Sequence, residues 1–135
     1  MNDPLITRLE AQVRDLQGQI DARRRALLQE AMPKGRMAKV LDMVAREWGV
    51  DATALIGDDR GADIVRPRMV AMALAYRTLG YSQARIARIM NRSAALVGEA
   101  CRRMEAECHV DSILAARLDR LATAIAALPA TRRDA

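Results

Sequence analysis

Apolar residues recur along most of this chain at steps of three and four, the spacing of one face of an α-helix. Between positions 4 and 32 the stripe is Ile6, Leu9, Val13, Leu16, Ile20 and Leu27, with Arg23 standing where a further apolar residue would fall. In heptad terms Ile6, Val13, Ile20 and Leu27 occupy a, while Leu9, Leu16, Arg23 and Glu30 occupy d. β-Branched residues at a with leucine at d favour a parallel two-stranded coiled coil. Residues 1–32 are therefore predicted to form an N-terminal coiled-coil helix that makes the protein a homodimer. Gly18 weakens that helix, and the positions flanking the seam (Glu10, Gln12, Gln17, Gln19, Arg24, Ala26) offer weak ionic pairing. The competing reading is an amphipathic helix that packs on its own domain.

Met32-Pro33-Lys34-Gly35 breaks the pattern and marks a boundary. A second stripe follows, Met37, Val40, Leu41, Val44, Ala45 and Trp48, closed by Gly49 as a C-cap. Asp51 stands as N-cap to a short helix over 52–56 that ends at Gly57. Residues 58–63 form a polar loop, and Pro67 suits the first turn of a helix running to about Leu79, before Gly80. Ser82 caps a helix over 83–90. A tight turn at Asn91-Arg92-Ser93 leads to a helix over 94–108. Asp111 caps a last helix over 112–128, which Pro129 stops. The expected organisation is a helical domain over 36–128 and a disordered tail over 129–135.

Composition narrows the class. Hydrophobic residues make up 51% of the chain, enough to bury a core, and aromatics only 2% with no Phe. So few aromatic residues argue against an all-β fold, and the helix formers Ala, Leu, Arg, Met and Glu dominate. An all-α fold is expected. Cys101 and Cys108, with His109 as the chain's one histidine, make neither a disulfide framework nor a metal set. No metal and no cofactor are expected. The chain shows no charged-then-apolar leader and no run of about 18 apolar residues. It is expected in the cytoplasm, off the membrane.

Charge adds the first functional pointer. The net charge is +5, and arginine supplies nearly all of the 22 basic residues. Residues 65–105 carry eight arginines against Glu99 and Glu105, while the rest of the chain balances to within one charge. A positive field confined to one stretch suits a polyanion, most often nucleic acid. The short helices over 83–90 and 94–108 lie within it, and two helices joined by so tight a turn resemble a helix-turn-helix. There the second helix enters the DNA major groove with its N-terminal residues against base edges. Ile86, Ile89, Val97 and Met90 would be the buried residues of the pair, and Arg102 and Arg103 would stay outside.

A longer stretch makes the resemblance specific. Val44-Ala45-Arg46-Glu47-Trp48-Gly49-Val50-Asp51 is followed by Leu55-Ile56-Gly57. Then comes Ile64-Val65-Arg66-Pro67-Arg68-Met69-Val70-Ala71-Met72-Ala73-Leu74-Ala75, and finally Tyr81-Ser82, Ile86-Ala87, Arg92, Val97 and Ala100-Cys101-Arg102-Arg103-Met104-Glu105. Over about 38–108 this resembles the C-terminal helix-turn-helix domain, domain IV, of the bacterial replication initiator DnaA. The resemblance implies a loop arginine in the minor groove, here Arg60; such arginines read groove width more than base identity. The family's reading motif is G-R-D-H-T-T-V, and this chain has Asn91-Arg92-Ser93-Ala94-Ala95-Leu96-Val97 in its place. Arg92 persists and would take a guanine. Ser93 would reach a base edge or phosphate, and Ala94, Ala95 and Leu96 would offer apolar contact to thymine methyls. Arg66, Arg68, Arg85 and Arg88 would hold phosphates that set register, and Ser82 would act as N-cap and DNA ligand together.

The reading is a sequence-preferring binder of double-stranded DNA, a transcriptional activator that recruits transcription machinery. Its architecture is similar to that of regulators of phage or gene-transfer-agent origin, and it is not expected to prefer the initiator's usual box. One rival is a replication accessory protein competing for initiator sites. Another is a protein-interaction module whose DNA binding is vestigial. An enzyme is not expected. There is no Walker A loop, so nucleotide-driven filament assembly is not expected. Asp58-Asp59 reads as a solvated loop, the methionines as core filler, and Trp48 as the anchor of its helix.

Overall fold

The computed structural model describes residues 3–130, so the 131–135 part of the expected disordered tail lies outside the described residues. The described residues form six α-helices and no strand, an all-α fold. The chain divides into two compact units between Ala31 and Met32.

The first unit is a single helix, α1 (Pro4–Ala31), in which no residue is buried. Its apolar stripe is intact and lies in solvent: Ile6, Leu9, Val13, Leu16, Ile20 and Leu27 are each half or more exposed.

In the second unit, Gly35, with φ of 73°, lets the chain turn into α2 (Arg36–Trp48). There Met37, Val40, Leu41 and Val44 are buried, as the spacing predicts, and Gly49 closes the helix in the left-handed region at φ 68°. Asp51 accepts the Thr53 N–H and caps a single 3₁₀ turn (Ala52–Leu55). Next comes α3 (Ala62–Leu74), widening into a π-turn over Ala75–Leu79 that Gly80 ends. Here the sequence reading needs correction. The helix begins at Ala62, which leaves Pro67 inside it and not in its first turn. Pro67 has no N–H to give the Asp63 carbonyl. Its ring is buried, so packing offsets that loss.

Three helices complete the unit: α4 (Gln83–Met90), α5 (Ala94–Val110) and α6 (Ser112–Ala126). Asp111 accepts the Leu114 N–H at 2.9 Å and caps α6. The buried helix α3 is the hub, packed by α2, α5 and α6. Val70, Ala71, Met72 and Leu74 of α3 share the core with Met104 of α5 and with Leu114, Leu118 and Ile125 of α6. At the seam between α2 and α6, Arg117 lies over the Trp48 ring and its Nε donates to Glu47 at 3.1 Å.

Candidate nucleic-acid interface

The pair α4–α5 is built by its caps. Ser82 Oγ accepts the Arg85 N–H at 3.1 Å, which fixes where α4 starts. Ile86 and Met90 are fully buried, and they hold α4 to the core. Ile89, expected to be buried, is mostly covered but keeps some exposure. The helix stops at Asn91, the one described non-glycine residue with positive φ, at 55°. Asparagine tolerates that region better than most side chains. Ser93 Oγ then accepts the Leu96 N–H at 3.1 Å and starts α5 after a break of three residues. Val97 and Ala100 turn inward, which leaves Ser93, Ala94, Ala95 and Leu96 exposed at the N-terminal end of α5. This is the end that the helix-turn-helix geometry presents to bases.

The arginines divide sharply. Arg88 and Arg60 are exposed. The Arg85 guanidinium lies 3.7 Å from the centroid of the Tyr81 ring, which orients it along the outer side of α4. Arg66 is exposed but already paired with Glu107 at 3.1 Å.

Arg68 corrects the sequence reading outright. It is buried, with Nε donating to the Leu55 carbonyl at 2.9 Å and NH2 donating to the Ala54 and Gly57 carbonyls at 3.0 Å. Burial, and then the neighbouring Arg92, push its pKa below the ordinary value. A guanidinium spent on three carbonyls inside the fold cannot hold a phosphate. Its job is to fasten the 3₁₀ turn to α3.

Arg92 is turned inward as well. Its NH1 donates to the Met90 and Asn91 carbonyls at 3.0 Å, and its NH2 donates to the Gly57 carbonyl. A bidentate guanine contact needs a free guanidinium edge, and here NH1 and NH2 both already donate to backbone carbonyls. Arg68 and Arg92 therefore meet on the carbonyl of Gly57 and tie the loop that carries Arg60 to the turn between α4 and α5. Between them runs a groove of about 640 Å³, lined by Asp58, Arg60, Met69, Arg92, Leu96 and Arg103. It places Arg60 and the start of α5 on the same side of the fold.

Sequence reasoning missed Lys34. It belongs to the breaker between the units, yet it lines a shallow depression of about 400 Å³ together with Arg85 and Arg88. No helical spacing could have linked it to residues about 50 positions later. Cys101 and Cys108 stand half-buried, and burial pushes both thiols up. Among the described residues no three His, Cys, Asp or Glu side chains gather where a metal could bind, and no helix is long and apolar enough to cross a membrane.

An exposed second-helix N-terminus, a capped tight turn and a basic flank define a helix-turn-helix DNA-binding protein. The pattern of the bacterial dnaA protein helix-turn-helix family matches residues 37–104, half of the chain. The chain belongs to that family, a DNA-binding and not an enzymatic one, and its partner is double-stranded DNA. No curated protein matches the chain.

Proposed function

We propose that this protein is a homodimeric, sequence-preferring transcriptional regulator acting in the cytoplasm on the nucleoid, and that it activates by recruiting transcription machinery. The observation that carries the reading is the exposed start of α5, Ser93, Ala94, Ala95 and Leu96, of which Leu96 lines one groove with Arg60. In this reading Arg60 enters the minor groove. Ser93 contacts a base edge or a phosphate, while Ala94, Ala95 and Leu96 pack on thymine methyls. Arg85, Arg88 and Lys34 hold phosphates, with Ser82 donating its hydroxyl beside them. Arg92 holds the Arg60 loop in place. The residues of the reading end differ from the family's G-R-D-H-T-T-V, which favours a target other than the initiator's box and so a role in transcription over one in replication.

The test is sequencing of genomic fragments retained by the purified protein, with Arg60→Ala beside the wild type. Sharp peaks at promoters, weakened in the variant, are expected. Peaks at an origin over initiator boxes would turn the reading to replication. A flat profile at physiological salt would overturn sequence preference altogether.

A further inference from the structure

We propose that α1 pairs antiparallel with α1 of a second copy of this chain, in a register centred on Gly18. The proposal rests on the homodimer reading above and adds the direction of pairing. The starting observation is that α1 buries nothing, while seven large apolar side chains (Leu5, Ile6, Leu9, Val13, Leu16, Ile20 and Leu27) stand at least half exposed. All but Leu5 lie in one a/d stripe, and a stripe of this width needs a cover in water.

The two directions of pairing treat the charges of α1 differently. In a parallel pair, each a or d residue meets its own copy. Arg23 would then face Arg23 and Glu30 would face Glu30, two like-charge layers at the seam. The flanking g-to-e neighbours would be Leu5 with Glu10, Gln12 with Gln17, Gln19 with Arg24 and Ala26 with Ala31. None of these is an ion pair. An antiparallel pair sets a against d. Matching the full length of α1 places Leu9 on Leu27 and Leu16 on Ile20, each twice by symmetry. Arg23 then meets Val13 and Glu30 meets Ile6, so no like charges stack, and the long arginine stem covers the valine while its head reaches water. The e positions now face each other. Glu10 of one helix lies against Arg24 of the other, again twice. Shifting the register by one heptad either way breaks these pairs and shortens the overlap. The composition of a and d alone favours parallel strands; the placement of charge on the same helix reverses that preference.

The consequence is geometric. A helix of 28 residues is about 42 Å long. An antiparallel pair sends its two chains out at opposite ends of that rod, a separation greater than the ~34–36 Å turn between adjacent half-sites.

Two full-length variants test the direction, Leu9→Cys and Leu27→Cys, oxidised singly and as a mixture, with the disulfides located by peptide mapping so that Cys101 and Cys108 stay distinguishable. Antiparallel pairing yields a 9–27 disulfide in the mixture and no 9–9 or 27–27 disulfide in either variant alone. In that arrangement residue 9 lies about 27 Å along the rod from its own copy. Homotypic disulfides, or a dimer lacking the 9–27 link, overturn the direction and leave the homodimer standing. A monomer in sedimentation of the wild type overturns both. As a second readout, Glu10→Arg should weaken association by about three- to tenfold at low salt, with Arg24→Glu added to it restoring the wild-type value. Failure of that rescue also overturns the proposal.

Discussion

The Gly57 carbonyl and the helix α4 each gather two arginines, yet they use them in opposite ways. Around Gly57, Arg68 and Arg92 are drawn in by backbone carbonyls left open by a 3₁₀ turn and by a helix end. On α4, Arg88 stays in solvent and Arg85 lies along Tyr81. The difference teaches that a count of positive charge measures two things at once. Part of it is glue inside the fold, and only the rest is a field for a polyanion.

The contrast predicts a graded series. Arg68→Met should cost most, about 2–3 kcal/mol of folding stability, because it leaves the Leu55, Ala54 and Gly57 carbonyls short of donors. Thermal unfolding followed by circular dichroism reads it, and a stability equal to wild type would place Arg68 with the outward set. Arg92→Ala should cost about 1–2 kcal/mol of stability by the same cause. Its DNA affinity should fall evenly across sequences, and the loss should be non-additive with Arg60→Ala, since both act through one loop. Relaxation at a single base pair in a binding-site selection would instead make Arg92 a base reader. Ser82→Ala removes the cap of α4 and should cost about 1 kcal/mol in chemical denaturation. Arg88→Ala should change stability least, by at most about 0.5 kcal/mol. It should still lower the slope of log affinity against log salt by about 0.9, as expected when one phosphate is no longer neutralised. An unchanged salt slope would remove Arg88 from the interface.

Much of this fold was legible because helix ends are chemical signals. Asp51, Ser82 and Asp111 each cap the helix they were expected to cap, and Gly49 and Asn91 end theirs in the left-handed region. The start of α3 was not legible, because proline ordinarily marks a first turn, and Pro67 stands inside the helix with its ring buried in the fold, a contact that no local pattern reveals. Nor was the fate of Arg68 and Arg92. Both look like phosphate or base ligands until the fold brings them to the Gly57 carbonyl, 11 and 35 residues away. Lys34 joined Arg85 and Arg88 for the same reason in reverse, since folding brought together residues that no local period connects.

The seam between α2 and α6 also gives the protein a built-in optical gauge. The chain holds one tryptophan. Trp48 is half-buried, with the Arg117 guanidinium 4.1 Å from its ring centroid. A cation held against an indole perturbs its emission, and undocking α6 would remove that cation and wet the ring together. Native fluorescence therefore follows the docking of one helix in a label-free sample, with no competing indole signal to subtract.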